Sequence, residues 1–282
     1  MSGKVISTVV VAALSVVVAA SASPASAQED APLVLLIAGD LWTWSAADGS
    51  SQQLTFWGYN RTPVISPDGS RIAYESEAQI TVEAIERTGG FAGGATPSNI
   101  WVWELNTNRA VRIADQPPDA SLLVDGVPDK GIARSSPTWS PDGTFIAWTE
   151  LAFPEMENRL GVFDLTENIG RVMLLDVPEQ YGVPSPLEVK WGNGGIAVRS
   201  SVYNPDTGGA DETILVYDAW GYLRSSTALE MQEGEFPLEF FWVSDGGRPY
   251  VGVLYNSGRW VLIDPSNGGV RPPSGALSLF SL

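Results

Sequence analysis

The amino-acid sequence predicts an all-β fold built from repeated four-stranded antiparallel units, and three observations lead to this prediction. A short phrase with a tight Pro-Asp-Gly turn occurs in residues 65–74 and again in 139–148. Eroded copies of the phrase follow in residues 191–198 and 242–251. Strand-like segments that end in polar turns recur between these copies. A phrase that returns at long intervals in a strand-rich chain is typical of a repeat array.

Each copy of the phrase reads as a strand, a tight turn and a second strand. Pro and Asp favour the early turn positions, and Gly supplies the positive φ at which the chain reverses. The anchor residues Ile65, Trp139, Trp191 and Trp242 are separated by 74, 52 and 51 residues. The last two intervals fit one four-stranded unit each, and the first fits a unit with long insertions.

A second repeated element is a strand that ends in a polar turn, and it occurs five times. Its copies are residues 41–44, 100–104, 160–164, 214–218 and 260–264. A turn and one more short strand follow each copy. The order within a unit is therefore an inner strand A, the tight turn, strand B, a loop, strand C, a turn and an outer strand D.

Five C strands are present, but complete A–B hairpins number only four, and the two chain ends supply the fifth. Residues 33–37 read as a B strand without its A strand, and residues 276–282 read as an A strand at the C-terminus. Pairing the two removes the open edges of a linear array. The predicted fold is a five-bladed β-propeller of four-stranded antiparallel blades, closed by pairing of the N- and C-terminal strands.

The Trp-Ser-Pro-Asp-Gly phrase, its Ile-Ala-aromatic continuation and the following Ile-Trp-Val-Trp resemble the WD40-like β-propeller repeat family of the TolB type. The resemblance covers most of residues 33–282 and is most specific in the second and third units. It implies a propeller fold. TolB itself carries an α/β domain before its propeller, for which this chain has no room, so its partner-binding role does not carry over directly.

The N-terminal 27 residues have the features of a secretory signal peptide. Lys4 is the only charge, an apolar run covers residues 5–20, and small residues at 25–27 form a cleavage site. The alternative is a membrane anchor, but the run is short and no basic cluster follows it. We expect residues 28–32 to be a linker, residues 33–282 to be one domain, and the chain to be exported to the periplasm or outside the cell without membrane insertion after cleavage.

The composition restricts the classes of partner and of chemistry. Without Lys4, 15 basic and 33 acidic side chains leave a net charge of 15 − 33 = −18, which repels nucleic acid and anionic membranes. The chain contains no His and no Cys, which excludes Ser-His-Asp and Cys-His catalysis and zinc bound by those residues. The sequence predicts neither an enzyme nor a cofactor, and the expected partner is another protein, with a glycan as the alternative.

The strand order places the long loops, which are the B–C and D–A connections, on one face of the predicted propeller. Long loops on a rigid scaffold are where binding residues concentrate. Aromatic and acidic side chains there suit the Arg and Lys of a protein partner, or a sugar. The aromatic candidates for binding are Trp57, Tyr59, Tyr181 and Tyr203.

Two carboxylates match in register, because Glu188 and Glu239 each precede an anchor Trp by three residues. They lie where adjacent inner strands leave the long-loop face. Paired carboxylates there suit acid–base chemistry on a glycosidic bond or the holding of a cation. The alternative is a Glu shared by repeats of common ancestry, with Lys190 neutralising one copy.

The loop 204–212 contains oxygen ligands and glycines that suit Ca²⁺, with Asp206, Asp211 and Glu212 as the candidate metal ligands. The same residues read equally as a plain turn, which is the favoured interpretation. The leading hypothesis is an exported, non-catalytic propeller that binds a protein through its long-loop face. The alternative is a carbohydrate-binding or glycoside-cleaving propeller that uses Glu188 and Glu239.

Overall fold

The computed structural model describes residues 32–89, 95–123, 128–177, 185–206, 208–275 and 278–279. They form five antiparallel β-sheets, which we number 1 to 5 in chain order. The one α-helix within these ranges is α1 (Gln79–Thr88). No helix formed by the described residues is long and apolar enough to cross a membrane. The predicted signal peptide lies outside the described residues.

The strands follow the chain from sheet to sheet. Sheets 1 and 2 contain β1 (Leu33–Ile37), β2 (Asp40–Trp44) and β3 (Ser51–Gln53), then β4 (Asn60–Ile65), β5 (Arg71–Glu77), β6 (Ser98–Glu104) and β7 (Arg109–Ala114). Sheet 3 contains β8 (Ser121–Leu122), β9 (Pro128–Arg134), β10 (Thr138–Trp139), β11 (Phe145–Phe153), β12 (Glu157–Asp164) and β13 (Ile169–Leu174). Sheets 4 and 5 contain β14 (Glu188–Gly192), β15 (Gly195–Asn204), β16 (Gly209–Tyr217) and β17 (Leu223–Ala228), then β18 (Pro237–Asp245), β19 (Arg248–Tyr255), β20 (Trp260–Ile263), β21 (Val270–Arg271) and β22 (Ser278–Leu279).

Sheets 2 and 4 have the predicted order of four strands, whereas the other sheets depart from it. Sheet 1 has three strands, because no inner strand pairs with β1 among the described residues. In sheet 3 the inner strand is divided into β9 and β10, both of which pair with β11. Pro137 lies between the two pieces and has no backbone N–H to donate. The hairpin of β8 and β9 extends this sheet to six strands.

The predicted pairing of residues 276–282 with residues 33–37 is wrong for the part of the C-terminus that the structure describes. Ser278 pairs with Ser244, and Leu279 pairs with Val243, so β22 lies beside β18 rather than β1. The Ser274 hydroxyl donates a 2.7 Å hydrogen bond to Asp245 at the end of β18. The chain therefore already contacts β18 four residues before β22 begins. An inner edge strand offers unpaired backbone groups to any passing segment.

The Pro-Asp-Gly turns have the predicted structure and are copies of each other. The hydroxyl of Ser66 donates a 2.6 Å hydrogen bond to Asp68, and the hydroxyl of Ser140 donates a 2.6 Å bond to Asp142. Each turn then places Gly at a φ of 71°, a conformation that glycine adopts without steric cost. The turns fix the register of the β4–β5 and β10–β11 hairpins.

Buried apolar clusters join sheets that follow one another, from sheet 1 to sheet 5. Members from the two sides of each junction are Leu41 and Ile72, Val102 and Trp139, Leu160 and Trp191, and Ile214 and Trp242. The indole N–H of Trp139 donates to the carbonyl of Val64 at 3.0 Å, and that of Trp242 donates to Lys190 at the same distance. The anchor tryptophans therefore pack between sheets and link inner strands.

The junction of sheets 5 and 1 is different in the described residues. The last cluster, which contains Val243, Tyr250 and Leu262, belongs to sheet 5 alone. The cluster that contains Val34 and Leu41 reaches only sheet 2. The described residues thus form an ordered series of five sheets, and they do not include a core that closes the series into a ring.

Helix α1 lies in the connection between β5 and β6, where the sequence pattern predicts a loop. Its buried residues are Thr81, Val82 and Ala84, which is an apolar stripe at helical spacing. Gly89 ends the helix in the left-handed conformation, and its N–H donates to the carbonyl of Ile85 at 2.8 Å. The helix packs against β8 of sheet 3, and the Thr81 hydroxyl donates a 2.8 Å hydrogen bond to the carbonyl of Pro97.

Candidate functional site on the long-loop face

We define the long-loop face as the end of the sheets that carries the described residues 54–59, 78–89, 154–156, 205–206, 208 and 229–236. These segments connect B to C strands and D to A strands, which all leave their sheets at the same end because neighbouring strands are antiparallel. The Pro-Asp-Gly turns lie at the opposite end.

Large apolar side chains are exposed at this end of the molecule. They are Phe56, Trp57, Leu123, Met156, Tyr203, Phe236 and Leu238. Phe56 is the most exposed of them, at 81%. Exposed apolar side chains that lie together mark surfaces for contact with another molecule. The long-loop face is one candidate for such a surface, and Trp220, Tyr222 and Leu223 are exposed at the opposite end.

The structure brings Glu188 and Glu239 together through Lys190, which lies between them. The Lys190 ammonium donates a 2.6 Å hydrogen bond to Glu239 and lies 3.4 Å from Glu188. It also lies 4.6 Å from the centre of the Phe241 ring and 5.0 Å from that of Phe240, so cation–π attraction fixes its position. The repeat register therefore produces a contact between β14 and β18.

The two carboxyl groups differ in acidity. Burial raises the pKa of Glu188, and a hydrogen bond to Glu239 adds to this effect. Burial also acts to raise the pKa of Glu239, but the hydrogen bonds from Lys190 and Glu188 outweigh it and lower the pKa. Glu188 is thus the weaker acid of the pair and Glu239 the stronger one.

The cluster continues to a second cation, Arg199. Its guanidinium lies 3.7 Å from Glu188 and 3.4 Å from Glu212, whose side chain is buried. Glu212 also accepts a 2.7 Å hydrogen bond from Ser201. The charges of this group of residues, which we call the Lys190 cluster, are therefore largely balanced internally.

The candidate metal ligands are not brought together. Glu212 belongs to the Lys190 cluster, whereas its strand neighbour Asp211 projects to the other face of the sheet and accepts 3.1 Å hydrogen bonds from Asn204. The backbone N–H of Asp206 donates to Asn204. No group of three or more His, Cys, Asp or Glu side chains that suits a metal ion occurs in the described part of the chain.

The aromatic candidates divide between two places. Trp57 and Tyr59 contact each other edge to face, with ring centres 5.8 Å apart, in the connection that leads to β4. Tyr203 is 41% exposed near the tip of the β15–β16 hairpin. Tyr181 lies outside the described residues. The four aromatics therefore do not form one binding surface in the part of the molecule that the structure describes.

Sequence reasoning missed a cavity of about 310 Å³ beside Trp57, between sheets 1 and 2. Its lining includes Asn60, Glu77 and Asn99, which are buried polar residues on three strands of sheet 2. The one signal in the sequence is the run of polar residues at those ends of β4, β5 and β6 that lie at the long-loop face. The sheet would otherwise be apolar there.

Comparison with known proteins gives likeness of fold and not of sequence. No protein-family model matches the sequence, and no curated protein matches it either. A solved oligogalacturonate lyase in complex with manganese matches with a TM-score of 0.54 at 14% identity, over 86% of this chain and 61% of the lyase. The β-propeller domain of the Trilobed protease from Pyrococcus furiosus matches with a TM-score of 0.51 at 14% identity, over 90% of this chain and 70% of that domain.

These likenesses show a fold of the β-propeller kind. TolB from Acinetobacter baumannii also matches, but its TM-score of 0.42 is too low to carry an argument about this chain. The resemblance to TolB-type repeats is therefore supported as a propeller fold, without a family assignment. The chain spans about three fifths of the length of the lyase that it matches.

The expectation that the chain is not an enzyme is wrong as an inference from the missing His and Cys. Oligogalacturonate lyase is an enzyme, and it shares this fold. A fold of this kind therefore accommodates catalysis, and carboxylates act as acid–base groups in enzymes without histidine. The carboxylates of the described residues form no group that suits a metal ion, so they do not fit the manganese of that lyase.

Proposed function

We propose that the protein is a propeller-type binding module that engages a basic, partly apolar protein partner through its long-loop face. The observation that carries the proposal is the group of exposed apolar side chains at that face, with Phe56 and Phe236 the most exposed of them. Apolar anchors of this kind supply most of the binding energy at protein interfaces.

The charge of the chain supports a basic partner. Its net charge is −17 at pH 7, so its field attracts cationic surfaces and accelerates their association. Such attraction weakens as salt screens it. We therefore expect the association rate to fall as ionic strength rises, while the dissociation rate changes little.

The face is carried by sheets with buried cores, which suits recognition without large rearrangement. Leu41, Ile72, Ile146 and Ile214 are fully buried beneath the connections. A binding surface on a rigid scaffold loses less conformational entropy when it associates. Binding surfaces on propeller-like folds are grafted onto loops in the same way.

The experiment compares two double variants in cross-linking of the mature chain to envelope proteins, followed by mass spectrometry. One variant, Phe236→Ser with Leu238→Ser, changes the long-loop face. The matched control, Trp220→Ser with Tyr222→Ser, changes equally exposed residues in the turn after β16, at the other end. We expect the first variant to lose a partner that the second retains.

The proposal fails if both variants recover the same partner with equal yield, or if the cross-linked residues map to the opposite end. A partner whose recovery does not depend on salt would contradict the proposed electrostatic attraction, but not the proposed contact face.

A second candidate function is acid–base catalysis by Glu188 and Glu239, which the opposite shifts of their pKa values favour. Glycosidases hold their two carboxyls about 5–9.5 Å apart, on either side of the scissile bond. Here the carboxyls share a lysine and a hydrogen bond, so the pair suits proton transfer at one side of a substrate. A lyase that cleaves by elimination needs one base that removes a proton from the substrate.

This candidate is tested with oligogalacturonates, the substrate class that the name of the lyase supplies. Formation of the unsaturated product is followed by ultraviolet absorbance for the mature wild type, Glu239→Gln and Glu188→Gln. The control is Glu233→Gln, an exposed carboxylate on the same face. We expect the loss of activity to be confined to the first two variants, and equal rates in all four proteins would exclude the pair.

A further inference from the structure

The cavity between sheets 1 and 2 results from the unequal lengths of their strands. Sheet 1 has strands of five, five and three residues, whereas β5 and β6 have seven each. Leu41 and Leu54 pack against Ile65 and Ile72 of sheet 2. Beyond them, towards the long-loop face, the paired residues Tyr74 and Trp101 and the paired residues Ser76 and Asn99 line the cavity.

One buried polar atom in this space has no partner. Asn99 is 6% exposed, and its side-chain carbonyl oxygen accepts no hydrogen bond in the structure. A buried acceptor without a donor is costly, and native proteins pair nearly all such groups. Because Asn99 lines the cavity, a molecule in the cavity that carries an O–H or N–H group meets this need.

The charged groups at the cavity are already paired. Glu77 lies 2.9 Å from the Arg61 guanidinium and accepts a 2.9 Å hydrogen bond from Thr96. Arg112 lies 2.7 Å from Asp115. The cavity therefore offers no free charge to a cation or an anion among the residues that the structure describes, and a neutral molecule fits it best.

The remaining lining combines three aromatic residues, Trp57, Tyr74 and Trp101, with the polar Thr55, Ser76 and Gln79. The Arg112 guanidinium lies 5.4 Å from the centre of the Trp101 ring. Burial raises the pKa of Tyr74. The volume of about 310 Å³ is at the lower end of the range for small-molecule pockets. A molecule of one or two rings that carries both C–H groups and hydroxyl groups matches the aromatic surfaces and the unpaired acceptor of Asn99.

From these observations we infer that the cavity is a binding site for a neutral saccharide of one or two rings. The ring stacks on Trp57 or Trp101, and a hydroxyl donates to Asn99. The site is preformed, because the Asp40 carboxylate accepts hydrogen bonds from Gly58 and Thr55 and so holds the segment that carries Trp57. This site is separate from the Lys190 cluster, and it shares Trp57 with the long-loop face that the protein partner is proposed to engage.

The test is saturation-transfer NMR, followed by calorimetry, of the mature chain with glucose, galactose, mannose, N-acetylglucosamine, maltose and cellobiose. We expect saturable binding of at least one sugar at concentrations up to about 10 mM, the range of weak single-site affinity. Trp57→Ala should abolish it. Asn99→Leu should weaken it about tenfold, as expected for one lost hydrogen bond.

Two controls keep the outcome decisive. Trp57 is 40% exposed, so its replacement tests the site even where the buried Asn99 variant fails to fold. Tyr222→Ala, which removes an exposed aromatic ring at the opposite end of the sheets, should bind as the wild type does. The inference is overturned if no sugar of the panel binds saturably, if Trp57→Ala binds normally, or if crystals grown with the sugars hold only an ordered water on Asn99.

Discussion

At the junction of sheets 4 and 5, the Trp242 ring is 1% exposed and its indole N–H donates to Lys190 of the preceding sheet. At the junction of sheets 5 and 1, no buried cluster spans the two sheets within the described residues. Buried clusters thus join each pair of consecutive sheets, and among the described residues none joins sheet 5 to sheet 1. An anchor Trp lies at three of the four junctions, and Ile65 takes this position between sheets 1 and 2.

The largest expected effect belongs to Trp242→Ala. Removal of a fully buried Trp costs about 3–5 kcal/mol of unfolding free energy, and the variant also leaves the Lys190 carbonyl without its donor. Urea unfolding followed by circular dichroism measures the loss. Trp220→Ala, at a site that is 55% exposed, is the control and should change stability little. A similar loss in both variants would show that the junction is not special.

The next effect is that of Gly192→Ala, which tests how closely the two sheets approach. A Cβ on Gly192 would lie 2.2 Å from the Trp242 ring, so the ring or the strand must shift. Overpacking of this kind costs about 1–3 kcal/mol. Gly170→Ala is the matched control, because its Cβ would meet Phe163 at an ordinary 3.4 Å. Equal melting temperatures for the two variants would contradict the close approach.

A smaller effect is expected at the Pro-Asp-Gly turns of sheets 2 and 3. Burial acts to raise the pKa of Asp142, but hydrogen bonds from Ser140 and Thr144 outweigh it and lower the pKa below the ordinary value of 3.8. The stabilisation is therefore present above pH 3.8 and is lost as the pH falls through the folded-state value. Asp142→Ala should lose about 1 kcal/mol near pH 7.

The check is the pH dependence of urea unfolding. The difference between the wild type and Asp142→Ala should shrink as the pH falls below 3.8. A difference that stays constant to low pH would mean that the carboxylate contributes nothing through its charge.

The smallest effect is expected from deletion of residues 276–282. Within the described residues the C-terminal strand contributes two residue pairs with β18, and each hydrogen bond contributes about 0.5–1.5 kcal/mol. The deletion should therefore destabilise less than Trp242→Ala. Differential scanning calorimetry of the mature chain decides this, since a loss of most of the stability would restore terminal closure as the main link of the ring.

The sequence was most informative where a local phrase determines local structure. Ser66 and Asp68 specify their turn without help from distant residues, and the spacing of Trp139 and Trp242 predicts the inter-sheet packing. Helix α1 was missed because its four apolar residues, Ile80, Val82, Ala84 and Ile85, lie in a connection that the repeat pattern predicts as a loop. The path of the C-terminus depends on the Ser274–Asp245 contact, which no repeat pattern contains.

The candidate site was predicted in part. The register of Glu188 and Glu239 follows from the repeat, and Lys190 shares a face with Glu188 because the two are separated by one residue. The cavity at Asn99 was beyond sequence reasoning, because it depends on where the strands of sheet 1 end relative to β5 and β6. The cavity depends on the difference in length between the strands of sheet 1 and those of sheet 2, and the strand lengths of one sheet alone do not predict it.

The bond from an anchor indole to the preceding inner strand has a consequence for how such chains change over evolutionary time. Lys190 supplies the carbonyl acceptor for Trp242, and the donor lies in the following unit, 52 residues away. A duplication of one unit would copy an acceptor and a donor together and so recreate both new junctions without further mutation. The number of sheets can thus change by whole units, while the loops at their ends diverge freely.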